Sequence, residues 1–170
     1  AYTLCYTHGM KQHIKISGEI VEKILKKNNL PQLSSFREIE TGLTNPVFVI
    51  NEQLVLRVNT GTSEKDADKF EKEAFLYTIL AKYSIPVPKL FSFDKSKELL
   101  FHDFLLMSYI EGETLTDSFK RQDHDRQEVL AFQLGDIAKK IRSIDLKEFV
   151  DGEKWFQRKK NWQETIIEEH

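Results

Sequence analysis

The run Leu54-Val55-Leu56-Arg57-Val58 constrains the fold more than any other stretch. It is short and apolar, with one cation near its end. A second apolar run, Val47-Phe48-Val49-Ile50, ends just before it, and Asn51-Glu52-Gln53 between the two has the length of a hairpin connection. Two such runs read as neighbouring strands. Side chains then alternate between faces, so Leu54, Leu56 and Val58 pack into the core while Val55 and Arg57 share the other face.

The rest of the chain supports a mixed fold. The pattern predicts a helix over 14–28, with Ser17 as a cap, Ile20, Val21 and Ile24 on one side, and Asn28-Asn29 closing it. Residues 36–40 read as a first strand and 42–46 as a turn. Ser63-Glu64-Lys65-Asp66 resembles a capping box. A helix follows over about 64–83, with Leu76, Ile79, Leu80 and Tyr83 as its core stripe. Ile85-Pro86-Val87-Pro88 cannot continue a helix, because proline lacks an N–H and biases its predecessor to extended geometry. Residues 90–93 and 99–109 read as two more strands, with Asp94 and Asp103 as loop acids. Five strands with one inserted helix make an antiparallel α+β lobe rather than a parallel series. After Glu111-Gly112-Glu113 the pattern turns helical. It predicts a short turn near 116–119, a helix over 125–143 with Leu130, Leu134, Ile137 and Ile141 as its stripe, and a last helix over 153–168 anchored by Trp155, Phe156 and Trp162.

Composition narrows the function classes. The chain has 170 residues, 40% of them hydrophobic, and twelve are Phe, which is enough to bury a core and argues against disorder. A net charge of −2 gives no basic excess for nucleic acid. No apolar run nears the roughly 20 residues of a membrane span. The single Cys5 excludes a disulfide framework or a zinc cluster and fits a reducing, cytoplasmic setting. Met10 is a candidate native start, with the residues before it a leader.

Four features carry candidate chemistry. Val55 beside Arg57 offers a small apolar surface and a cation, suited to a base and its phosphates; an edge arginine in solvent is the alternative. Glu73 can pair with Arg57 and orient it, or stand solvated among Glu71 and Lys72. In the loop over 42–46, Gly42 permits close backbone approach, and Thr44 and Asn45 can donate to phosphate oxygens, although most such loops are plain turns. The run Leu105-Leu106-Met107-Ser108-Tyr109-Ile110-Glu111-Gly112 goes from an apolar strand into a glycine break and then helices, as a connector between two lobes does. Its backbone groups can meet the edge of a base, with Met107 filling space beside it; an edge strand ending in a turn is the alternative. His8, His13, His102, His124 and His170 are scattered, with no ligand spacing and no nucleophile arrangement.

The order and spacing of these motifs resemble the aminoglycoside phosphotransferase family, which includes choline-kinase-like and other small-molecule kinases. The resemblance runs from about Phe36 to Leu146. Ile85-Pro86-Val87-Pro88 and Met107-Ser108-Tyr109-Ile110-Glu111-Gly112 are its most specific parts, and Leu134-Gly135-Asp136-Ile137-Ala138 also belongs to it. It implies a protein-kinase-like N-lobe and the first helices of a helical C-lobe. The implied organisation is a leader and N-terminal helix over 1–35, a nucleotide-binding lobe over 36–106, a hinge over 107–112 and the start of the helical lobe over 113–170.

In this likeness Arg57 takes the place of the third-strand basic residue that contacts the α- and β-phosphates. Many relatives have lysine there, and a guanidinium is bulkier and forked. Glu73 becomes its helix partner. Ser108 offers its C=O and Ile110 its N–H to the base; Phe48, Val55 and Met107 line the pocket; Thr44 and Asn45 approach the phosphates. Arg142 stands where relatives often have histidine. The family's catalytic aspartates, a base in a His-x-Asp-x-x-x-x-Asn type run and a metal-binding aspartate after it, are not found before His170. The expectation is therefore an ATP- or GTP-dependent kinase of small hydroxylated molecules, with Mg2+ needed by the complete enzyme, of which this chain supplies the nucleotide lobe without the catalytic loop. The long apolar stripe over 125–143 and the two tryptophans exceed what such a lobe can cover, so self-association through the C-terminal helices is expected if nothing else buries them. A stand-alone nucleotide-binding or pseudokinase-like regulator is the alternative reading, and an interaction domain without ligand is a third.

Overall fold

The computed structural model describes residues 14–39, 45–61, 68–145 and 147–149. Its elements are α1 (Gly18–Lys27), β1 (Phe36–Ile39), β2 (Val47–Ile50), β3 (Leu54–Val58), α2 (Lys69–Lys82), β4 (Leu90–Asp94), β5 (Phe104–Ser108), α3 (Leu115–Arg121) and α4 (His124–Arg142). They fall into two compact units, one comprising Ala1–Tyr77 and Val87–Gly112, the other Thr78–Pro86 and Glu113–His170.

The first unit is built on a five-stranded antiparallel sheet in the order β1-β2-β3-β5-β4. The expected hairpin is present with the expected strand bounds. Asn51 and Glu52 both take positive φ, 54° and 52°, and the Gln53 amide donates to the Ile50 carbonyl at 3.1 Å. That is the backbone twist a tight hairpin turn requires. Neither residue is glycine, and local bonds offset the strain. The Asn51 Oδ1 accepts from the amides of Ser34 (2.7 Å) and Ser35 (3.1 Å) and from the Ser34 hydroxyl (2.9 Å), while its Nδ2 donates to the Gln32 carbonyl. Arg37 forks onto Glu52.

Strand alternation sorts two cores onto the two faces of the sheet. Leu54, Leu56 and Val58 join Phe48, Ile50, Phe104 and Leu106 under α1, which contributes Val21, Ile24 and Leu25. On the other face Leu105 and Met107 pack against Phe70 and Ala74 of α2, with Val55, Tyr77, Leu90 and Phe93 at the margin. Because both faces of β5 are covered, Phe104-Leu105-Leu106-Met107 is apolar without alternation. Lys27 at the end of α1 reaches Asp94 at the end of β4, 2.9 Å away, so Asp94 is a buried tie rather than a loop acid. Strand β4 is an edge and carries an irregularity in register between Leu90 and Ser92.

Several expected bounds shift. Helix α1 starts at Gly18, and Ser17 is its N-cap position without a side-chain cap bond. Ile14 and Ile16 reach the core from non-helical backbone ahead of it. The expected strand over 99–109 is confined to β5. The ladder with β3 ends at Val58–Phe104 and that with β4 at Asp94–Phe104, so the strand pairing stops short of residues 99–103, although the Asn59 amide still donates to the Asp103 carbonyl at 2.8 Å. Of that stretch Leu100 turns inward while Phe101 stays exposed. In α2 the sheet-facing side chains are Phe70 and Ala74; of the expected stripe only Ile79 is fully buried. The capping box at 63–66, Glu40 and the helix over 153–168 lie outside the described residues.

In the second unit, Thr114 caps α3 by accepting from the Asp117 amide, and Asp123 caps α4 by accepting from the Arg126 amide. Both helices sit within a residue or two of expectation. No residue of α4 is fully buried, and Phe132, Leu134 and Ile141 of its apolar side are exposed.

Candidate functional site

The α2 face of the sheet gathers most of the expected site. Arg57 lies opposite Val47 on β2 and Leu105 on β5; Val55 lies opposite Val49 and Met107. Nη1 of Arg57 donates to Oε1 of Glu73 on α2, and the two side chains are 24% and 23% exposed. At that depth the pair is held apart from bulk water but is not sealed from a ligand. The Arg57 guanidinium also rests over the Phe70 ring, 5.3 Å from its centroid. One turn after Glu73, the Tyr77 hydroxyl donates to the same Oε1 at 2.7 Å. Burial, and then the hydrogen bond to the carboxylate, push the Tyr77 phenol up to about 12, so it stays a donor. Glu73 is thus fixed from both sides, and it fixes one of the five N–H donors of the guanidinium fork. A fork held at one corner can present parallel donors to a phosphate.

The connector follows directly from β5. Met107 is buried beside Val55. The Ser108 amide donates to the Lys89 carbonyl at 2.8 Å on the β4 side, and the Tyr109 amide donates to the Gln53 carbonyl at 2.7 Å on the β3 side. No peptide among the described residues is cis. In a trans peptide the C=O points opposite to the N–H, so the Ser108 carbonyl is turned away from β3. No backbone hydrogen bond among the described residues engages the Ile110 amide, and Ile110 is exposed.

The structure therefore brings Val55, Arg57, Glu73 and Met107 to one face, with Ser108 and Ile110 continuing from it. It does not bring Phe48 there. Phe48 lies opposite Leu56, stacks on Phe36 at 5.1 Å and is buried in the α1 core. Val47 and Val49 hold the β2 positions on the site face. The hairpin register carried that signal: Ile50 pairs with Leu54, which sets residue 49 opposite 55 and 48 opposite 56. Asn45 is buried, and its Oδ1 accepts from the Thr60 amide at 3.3 Å, so that oxygen braces the exit of β3. Thr44 lies outside the described residues. Sequence reasoning missed Phe70 and Tyr77, three before and four after Glu73, although that spacing marks a shared helix face.

The profile of the phosphotransferase enzyme family matches residues 35–170. This chain belongs to that family. A search of curated proteins finds no match. Among solved structures, the GDP and kanamycin complex of APH(2")-IIia aligns with a TM-score of 0.64 at 18% identity, over 79% of this chain and 45% of that one. The streptomycin-ATP complex of APH(2")-IIa aligns at 0.57 and 22%, over 92% and 53%. Aminoglycoside phosphotransferase APH(2'')-Ib with ADP bound aligns at 0.58 and 22%, over 91% and 52%. The chain thus shares the fold of these kinase-like proteins and spans about half their length. Among the described residues of this family member no group of three or more His, Cys, Asp or Glu side chains could hold a metal ion. No helix among them is long and apolar enough to cross a membrane.

Proposed function

We propose that this chain forms the nucleotide-binding part of a kinase that moves the γ-phosphoryl of ATP or GTP to a hydroxyl of a small, cationic molecule. The observation that carries the reading is the Arg57–Glu73–Tyr77 chain of contacts on the face that also holds Val55 and Met107. Val55 and Met107 supply an apolar wall for the base, and the open hinge backbone at Ser108 and Ile110 supplies its hydrogen-bond partners. Arg57, oriented by Glu73, meets the α- and β-phosphates. Residues 107–112 act as the hinge and 113–170 begin the helical half. The solved neighbours support the base and phosphate roles, since they are complexes with GDP, ATP or ADP, and two of them also hold kanamycin or streptomycin.

The test is titration calorimetry with ATP, GTP and adenosine. Arg57→Ala should weaken triphosphate binding by about tenfold or more, the loss of one charge-assisted contact, and leave adenosine binding as it was. Unchanged triphosphate affinity in Arg57→Ala would overturn the assignment.

A further inference from the structure

The Ser108 hydroxyl has a use that the backbone reading of the hinge leaves aside. In an antiparallel ladder a hydrogen-bonded pair exchanges two bonds. The Ser108 amide gives the first, to the Lys89 carbonyl at 2.8 Å. The second would run from the Lys89 amide to the Ser108 carbonyl. Instead, the Lys89 amide donates to Oγ of Ser108 at 2.9 Å. The residue before Lys89 is Pro88, which has no N–H to offer. On the other flank, Gln53 already takes the Tyr109 amide, which turns the Ser108 carbonyl toward the β4 side. The side chain thus stands in for the main chain as the acceptor of the one N–H that the ladder would send to this carbonyl.

We propose that the Ser108 hydroxyl is a positioning group that keeps the Ser108 carbonyl open to an N–H of a purine base, by drawing off the Lys89 amide. The inference rests on the nucleotide reading above and deepens it. An open carbonyl at 108 and an open amide at 110 form an acceptor and a donor in sequence. Adenine answers with its 6-amino hydrogen and N1; guanine answers with N1–H and O6. An alanine at 108 removes the substitute acceptor, and the Lys89 amide then closes on the carbonyl and competes with the base. A threonine keeps the hydroxyl.

The experiment compares the full chain with its Ser108→Ala and Ser108→Thr variants, each titrated with ATP and with purine riboside triphosphate, which lacks the 6-amino group. If the chain takes GTP instead, 2-aminopurine riboside triphosphate, which lacks the N1 hydrogen, is the matched control. Ser108→Ala should lose about fivefold in affinity for the natural nucleotide, the worth of one neutral hydrogen bond, and nothing for the analogue. Ser108→Thr should restore the natural affinity. A general folding defect lowers both affinities and leaves their ratio alone, so an unchanged ratio overturns the role of the hydroxyl even if both values fall. Wild-type chain that binds none of the four nucleotides overturns the nucleotide reading itself, a distinct result.

Discussion

Tyr77→Phe removes a single oxygen and is the sharpest probe of how Glu73 is held. The phenol donates to Oε1 of Glu73 at 2.7 Å. A hydrogen bond to an ionised acceptor contributes about 1.5–3 kcal/mol. The Glu73 side chain is 23% exposed and keeps its bond from Arg57, which puts the expectation near the lower end, about 1.5 kcal/mol. With a urea slope of about 2 kcal/mol/M, the unfolding midpoint falls by roughly 0.7 M. The cause is isolated by a double-mutant cycle with Glu73→Gln. If the phenol acts on the carboxylate, its deletion costs distinctly less in the Glu73→Gln background. Additivity within about 0.3–0.5 kcal/mol would refute the contact. The alkaline limb gives an independent check. The Tyr77 phenol titrates at about 12 in the folded chain against an ordinary 10.0, raised by burial and then by Glu73. The unfolded chain loses this proton first, so the contribution is whole below pH 10.0 and disappears as the pH climbs through about 12. Tyr77→Phe should flatten stability over that window.

Three other outcomes follow. Asn51→Ala discards the side-chain bonds to residues 32, 34 and 35 and places a Cβ residue without local help at φ 54°; chemical denaturation should register a loss of about 2 kcal/mol. Burial would raise the Asp94 carboxyl, but hydrogen bonds from Ser96 and Lys27 outweigh it and hold the group below its ordinary 3.8; its stabilisation is complete above that pH and is lost as the pH falls through the folded value, so Asp94→Asn should show a shallower acid limb in pH-dependent unfolding. Phe132 is 75% exposed on α4, and light scattering should find less self-association in Phe132→Glu than in the parent chain, with equal association arguing that this face is not the contact.

The hairpin was legible because two facts agreed: alternation along Leu54 to Val58, and a connection of the right length. Both are local, and the strand bounds came out as read. Strand β5 was overextended for the opposite reason. The apolarity of Leu99, Leu100 and Phe101 says that something there is buried, but a strand also needs a continuing ladder, and the ladders with β3 and β4 end at Phe104. Phe48 was placed in the pocket lining by the family resemblance alone, whereas the hairpin register sets it opposite Leu56, on the α1 face. The Arg57–Glu73 pair was readable from the order of motifs, since a strand cation and an acid on the next helix were both visible. The Tyr77 bond adds a helix spacing that could have been counted. The Lys89 bond to the Ser108 hydroxyl could not, because it depends on the pairing of β4 with β5 across an irregular register.

Among the described residues β1 and β4 are the outer strands of the sheet, and a border strand invites a copy of itself. Both are poor templates. Strand β1 offers four residues, of which Arg37 and Glu38 are exposed ions. Strand β4 is bent by its irregularity, preceded by a proline and flanked by the exposed lysines 89 and 95. Fibre-like growth by strand addition is therefore disfavoured at either margin, and crowding in a concentrated solution should drive contacts between helices before it drives contacts between sheets.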